Sequence, residues 1–326
     1  MRSRILTVLV LVAMGVADVR SATDSLYLAP ELFRYADNQR YTMSGGTPRL
    51  ESDLQPVPTI AVGVGFTSLM VGLHIYQRNA WWPDDADPEF RVIDDSEYAR
   101  GLDKLGHMYS TYIMSTLSAD LMMACGLNHE TSTWIGGAMG FGYTMYVEIE
   151  DGYAKDWGFS PTDAIANFVG ASFYVAQNKV PFLQNFTPRW SYIPASWTGD
   201  ATSNNRQKIV IDDYNSTTFW LACNVNNLLP EGARPYWPDW LMFSAGYGVR
   251  NYDVVDANGE PVGVTRRFLF GLDYDWVKIL PPSDIGFVNY LRQALNYIRL
   301  PGPTLEVGDD GVKFGIFYPF AIVVPL

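Results

Sequence analysis

Apolar residues run in long blocks through the first half of this chain and in short alternating runs through the second. The block from Val57 to Tyr76, containing PTIAVGVGFTSLMVGLHIY, is apolar for almost twenty residues. That length suits a helix that is fully buried or crosses a membrane, and Gly63, Gly65 and Gly72 would let a neighbouring helix come close. Three more blocks follow. One starts at Asp103, taken as an N-cap, and runs to Cys125 before Gly126. The next spans about Glu130 to Glu150, with Gly136, Ala138 and Gly140 as its small face. The last opens at Ser160-Pro161-Thr162-Asp163, which supplies a cap, a first-turn proline and an acidic N3, and ends near Gln177. Residues 57–180 therefore read as an apolar four-helix bundle with mostly short connections.

Beyond Pro181 the pattern changes. NFTPRWSYIPASWTGDATSNNRQ is rich in turn formers and lone aromatics and reads as a boundary segment lying over the bundle. KIVID, STTFWLACNV, LMFSAGYGV, RRFLFGLDYDWVKI and GVKFGIFYPFAIV then read as strands, with the alternation Phe268/Phe270/Leu272/Tyr274/Trp276 as the clearest case. DIGFVNYLRQALNYIRL reads as one amphipathic helix with Phe287, Leu291, Leu295 and Ile298 on one stripe. The expected class is α+β: the bundle, then a mixed 181–326 region with a small antiparallel sheet. About five strands broken by helix and proline are too few for an outer-membrane barrel, which needs at least eight in strict alternation.

The N-terminus changes the picture of location. Arg2 and Arg4, an apolar core from Ile5 to about Val16 and then small residues form a secretory signal over residues 1–22, with cleavage after Ala17 or Ala22. An uncleaved anchor is the alternative, although the core is shorter than the ~20 residues of a span. Residues 23–56 read as an irregular exported arm. A net charge of −12 excludes nucleic-acid binding, since no Lys/Arg patch exists to meet phosphates. Charged residues make up 18%, below the ~25% of soluble domains, so membrane or lipid is the expected partner, met through apolar surface. Trp81 and Trp82 read either as an interfacial anchor or as ordinary loop packing, and Asp84, Asp85 and Asp87 as a solvated loop. Cys125 and Cys223 allow one long-range disulfide or two buried thiols.

Ionisable residues on these apolar helices are the candidate chemistry. On insertion scales each costs about 2.5–3.5 kcal/mol if lipid surrounds it, so such residues tend to be paired or functional. Asp103 and His107 lie four apart, as do Asp163 and Asn167, and each pair shares a helix face. Glu148 and Asp151 lie three apart at the end of the third helix. With antiparallel neighbours, the start of helix two, the end of helix three and the start of helix four meet at one end of the bundle. Taken singly, Asp103 and Asp163 are caps, His107 a buried histidine and Asn167 a backbone bridge. Taken together, Asp103, His107, Glu148, Asp151 and Asp163 could ligate a divalent metal. Equally, His107 oriented by Asp103 could act as an acid or base with Glu148. No nucleophile motif, HExxH or phosphate loop accompanies them. His74 and His129 receive no role.

D-K-L-G-H at 103–107, E-x-x-D-G at 148–152 and S-P-T-D-A-I-A-N-x-x-G at 160–170 resemble the YfiM-like family of bacterial cell-envelope proteins. VanZ-like membrane proteins are more weakly similar. The resemblance spans roughly residues 57–180 and implies an envelope location and a bundle with these polar positions. It implies no reaction. Shorter members look like lipoproteins, and no cysteine follows the signal core here. The expectation is an exported, membrane-associated envelope protein with a structural, ligand-binding or lipid-binding role; the alternative is an envelope hydrolase or transferase, metal-assisted, working through the Asp/His/Glu cluster.

Overall fold

The computed structural model describes residues 34–35, 38–82, 89–203, 210–309, 311–320 and 323–325. The signal segment, the first part of the exported arm and the Asp84/Asp85/Asp87 run lie outside them. Its class is mixed α+β. Four long helices come first: α1 (Pro56–Ala80), α2 (Leu102–Ala124), α3 (His129–Gly152) and α4 (Pro161–Lys179). A seven-stranded sheet follows, with short helices between its strands.

Three of the helices form the bundle, and the fourth stands off it. Helices α2, α3 and α4 pack on one another, with Tyr112, Ala119 and Tyr174 at their shared centre. By contrast, Gln77 is the one buried side chain described along α1. Nothing lies within 4 Å of where a Cβ would project from Gly63, Gly65 or Gly72, so these glycines do not serve close helix packing as expected. The chain before α1 is held where Asp53 and Gln55 donate backbone bonds to Gly126 and Cys125. Close packing falls instead to Gly140 of α3, where a Cβ would sit 2.3 Å from Ser115 Oγ and 2.6 Å from its nitrogen. Gly140→Val should therefore force α2 and α3 apart and lower the melting temperature by several degrees, about 1–3 kcal/mol of overpacking. Thermal circular dichroism checks this, and an unchanged melting point would contradict the packing.

Trp81 and Trp82 are not an interfacial anchor. Both are buried against Ala154, Tyr146 and Trp157, and their Nε1 groups donate to Asp212 and Asp151, at 3.2 and 2.5 Å. The ordinary-packing alternative holds. The described part of the arm adds Arg40, which bonds Asn178 at 2.7 Å and Asp120 at 3.1 Å deep in the bundle.

The sheet is larger than expected. Its strands run β3 (Phe186–Tyr192), β4 (Thr217–Cys223), β5 (Leu241–Arg250), β6 (Thr265–Tyr274), β7 (Gly302–Gly308), β8 (Gly311–Tyr318) and β9 (Val323–Pro325), each antiparallel to the next. The two preceding strands, β1 (Arg34–Tyr35) and β2 (Asn38–Gln39), form a separate hairpin. β3 lies in what read as a boundary segment. It carries Pro188, which the sheet tolerates because β3 is an edge strand. The expected KIVID strand is instead a single turn at Val210–Asp212, where it is described.

One face of this sheet turns Leu221, Phe243, Phe268, Phe270 and Phe314 outward, each more than a third exposed, while the other buries Arg189, Ser244, Asp273 and Glu306. The amphipathic helix follows the same reversed logic. It is shorter than expected, α8 (Gly286–Ala294) after the brief α5, α6 and α7 (Ala195–Thr198, Val225–Leu228, Trp276–Ile279). Its apolar residues Phe287 and Leu291 face out, and Asn289, Arg292 and Gln293 face in. Cys125 and Cys223 are both free thiols.

Candidate functional site

The start of α2, the end of α3 and the start of α4 meet, and the loop before α2 closes over them. Local sequence explains how the side chains are freed for this. Gly101, with φ at 80°, caps α2, so Asp103 sits inside the first turn and is not the N-cap. Ser160 caps α4 by accepting from the Asp163 nitrogen at 3.1 Å. The reciprocal bond of a capping box would come from Asp163, but Glu148 Oε2 accepts from the Ser160 nitrogen instead, at 3.3 Å. Both aspartates therefore keep their carboxylates for the cluster.

Asp103 and Asp163 divide their oxygens between two cations. Lys104 Nζ reaches Asp103 Oδ2 at 2.9 Å, Asp163 Oδ1 at 2.7 Å and Asp95 Oδ1 at 2.8 Å. The other oxygens, Asp103 Oδ1 and Asp163 Oδ2, each lie 3.8 Å from His107 Nε2. Tyr214, arriving from just before β4, donates its hydroxyl to Asp103 Oδ1 at 2.6 Å. On the far side of the imidazole, Nδ1 lies 3.2 Å from Asn167 Oδ1 and 3.5 Å from Glu148 Oε1. Two acceptors at Nδ1 fix the proton there in the neutral ring, so Nε2 carries the lone pair and points at the paired aspartates. About 23% of the His107 side chain is exposed, so the cluster has access to solvent.

Burial and charge set the protonation. Burial opposes the imidazolium of His107, but Asp103, Asp163 and Glu148 outweigh it and raise its pKa. Burial pushes Glu148 up to about 8, against the pull of His107, and Asp163 up to about 6. Asp95 is lowered, because bonds from Lys104 and Ser160 overcome its burial. The carboxylates of Asp95, Asp103 and Asp163 thus face Lys104 as their permanent cation, while Glu148 faces His107.

Of the six residues expected from the sequence, Asp103, His107, Glu148, Asp163 and Asn167 are brought together. Asp151 is turned aside to Trp82 Nε1, and burial raises it to about 7. Sequence reasoning passed over Lys104, Asp95 and Tyr214. Lys104 lies within the D-K-L-G-H run itself and its placement between two singled-out residues was a usable signal. Asp95 and Tyr214 come from loops, and no spacing rule connects them to α2. Of the other histidines, His74 on α1 bonds Tyr146, and His129 Nε2 lies 3.2 Å from Asn178 Oδ1.

Residues 92–179 match the model of a protein family described as "Predicted periplasmic lipoprotein (DUF2279)". That span is well under half of the chain, yet it holds every member of the cluster except Tyr214. No curated protein and no solved structure matches the chain. The match supports an envelope family of unknown function. With the N-terminal segment it gives an exported cell-envelope protein on the periplasmic side. The lipoprotein description belongs to the family; the two cysteines of this chain, Cys125 and Cys223, both lie within the fold.

Proposed function

We propose that this protein is held at a membrane of the cell envelope and binds a divalent cation through Asp103, His107 and Asp163. One ligand atom from each of the three lies within 4.8 Å of the others, and this observation carries the metal reading. An ion with bonds of about 2.0–2.2 Å spans ligand pairs up to about 4 Å apart, which suits the 3.8 Å between His107 Nε2 and each aspartate oxygen. Asn167 and Glu148 at Nδ1 are then the outer partners that a metal-bound histidine needs. Three carboxylates, Asp95, Asp103 and Asp163, against one lysine leave negative charge that a divalent ion offsets. Oxygen ligands with one imidazole favour an ion of the manganese, iron or zinc kind. The finer likeness to YfiM-like proteins belongs to this proposal.

Membrane association rests on α1, the one described helix long and apolar enough to cross a bilayer, whose apolar run is not buried in the fold. The outward phenylalanines of the sheet and of α8 add apolar surface that water would not favour. Lys104 favours a second reading, in which its ammonium already satisfies Asp95, Asp103 and Asp163 and the cluster is a structural lock.

Fractionation and elemental analysis test both parts. The protein should require detergent for extraction and carry about one equivalent of divalent ion. His107→Ala should lose the ion and still fold. Recovery in the soluble fraction without detergent overturns membrane association. Failure to retain manganese, iron or zinc after dialysis against each overturns the metal site, and unfolding of His107→Ala together with that failure favours the lock.

A further inference from the structure

The inner face of the sheet holds an excess of buried positive charge in a chain whose net charge is −12. Arg189, Arg250, Arg267 and Arg299 are all less than a tenth exposed. The carboxylates that face them are already engaged. Glu306 accepts from both terminal nitrogens of Arg250 and from the Tyr318 hydroxyl. Asp200 meets Arg250 Nε at 3.0 Å, and Asp273 meets Arg189 at 3.0 Å while lying 3.8 Å from Arg299 Nε. Arg267 is left over. It is 5% exposed, donates from Nη1 to the Tyr318 hydroxyl at 3.2 Å, and has no bond from Nε and no carboxylate in ion-pair reach among the described residues.

A buried cation without a counter-charge costs a fold several kcal/mol, so a site that keeps one is built for an anion supplied from outside. Arg267 and Arg299 line the same cleft, together with Trp220, Thr218, Tyr318 and Asp200, whose carboxylate is paired with Arg250. The cleft is small, with about 20 Å³ of enclosed space, and part of it opens to solvent. Two glycines make room for the guanidinium groups. A Cβ on Gly248 would sit 3.0 Å from Arg267 Nη2, and one on Gly271 would sit 2.4 Å from Arg299 Nη2. Arg299 lies over Trp220, its Cζ 3.8 Å from the ring centroid, with Nη2 spent on Leu272 O and Thr304 Oγ1. Arg267, with Nε and Nη2 unbonded, presents paired N–H donors that match the edge of an oxyanion better than a spherical ion, and Arg299 adds its Nη1.

We propose that this cleft binds a phosphate-class oxyanion through Arg267 and Arg299, either free in the periplasm or as a lipid headgroup. It shares no residue with the cluster on α2, α3 and α4, so it stands or falls independently of the divalent-cation reading. The test is calorimetric titration of the full chain in detergent with inorganic phosphate, with sodium chloride at matched ionic strength as control. Wild type should bind saturably. Arg267→Gln should weaken binding by at least about thirtyfold, the scale of losing one partner of a buried charge pair. His107→Ala should bind phosphate as wild type does. Gly248→Ala, which presses on the Arg267 guanidinium, is the second variant and should also bind more weakly. Near-ultraviolet circular dichroism establishes that each variant is folded.

Vesicles separate the two sources. Arg267-dependent retention on phosphatidic acid over phosphatidylcholine, whose choline covers the phosphate, identifies a headgroup; phosphate binding without that discrimination identifies a free anion. Absence of saturable phosphate binding and of vesicle discrimination in folded wild type overturns the proposal. So does unchanged binding in folded Arg267→Gln.

Discussion

Asp273→Ala should lower the melting temperature by roughly 10 °C or prevent folding altogether. Asp273 is 1% exposed and serves two guanidinium groups, Arg189 at 3.0 Å and Arg299 at 3.8 Å, while accepting from the Ser244 hydroxyl and its neighbour's backbone, Tyr274 N–H, at 2.8 Å. Removing the carboxylate strands Arg189, which is itself fully buried, and deprives Arg299 of its counter-charge. Breaking one buried pair typically costs about 3–5 kcal/mol. At about 2–4 °C per kcal/mol for a chain of this size or somewhat smaller, that gives the stated fall. The double change Arg189→Met with Asp273→Leu should recover much of the loss, because it removes both charges and leaves neither stranded. Thermal unfolding in detergent measures both. A fall of less than about 2 °C in Asp273→Ala would mean that the sheet interior is wet enough to solvate the arginines, contrary to their burial.

The reversed interior of this sheet explains what could and could not be read from the sequence. Phe268, Phe270 and Leu272 alternate clearly, and β6 forms where that alternation lies. Alternation marks a strand but not which face is inward, and here the apolar set is outward on β6. The same ambiguity misplaces α8, whose Phe287/Leu291 stripe was visible but whose buried side is Asn289, Arg292 and Gln293. β3 and β7 were not visible: the segment around Pro188 reads as turns although Pro188 pairs with Leu221 at the sheet edge, and Pro303 falls at a register shift between Gly302 and Thr304 that takes it out of the ladder. The site fared better, since helical periodicity is local. Spacing alone put Asp103 beside His107 and Asp163 beside Asn167, and short loops made the three helix ends meet. Asp95 and Tyr214 arrive through tertiary contacts, for which a single sequence carries no signal.

With cations removed by a chelator, the protein should lose stability as pH rises from about 5 to 8, and a bound divalent ion should reverse the trend. The sign follows from the direction of the shifts. Glu148, at about 8, and Asp163, at about 6, sit above the ordinary carboxylate values of 4.5 and 3.8, because burial penalises their charged forms. Between those limits the folded state holds protons that the unfolded chain has already released. Stability therefore falls as pH climbs through this window. His107 has the same sign: its pKa is raised by the surrounding acids, so its contribution is complete below the unfolded value of 6.5 and is lost as pH passes the folded one. A divalent ion favours the deprotonated carboxylates and the neutral imidazole, so its affinity should rise across the same window, with protons released on binding. Asn167→Ala, which frees Nδ1 of the imidazole, should weaken the ion by about 10–100-fold, as losses of outer partners do, and His107→Ala by more. Melting curves at pH 5, 6, 7 and 8, with and without manganese, decide the matter. A melting point that does not fall with pH in chelator, or that manganese leaves unmoved at pH 8, would show that Lys104 alone balances the cluster and that no metal belongs there.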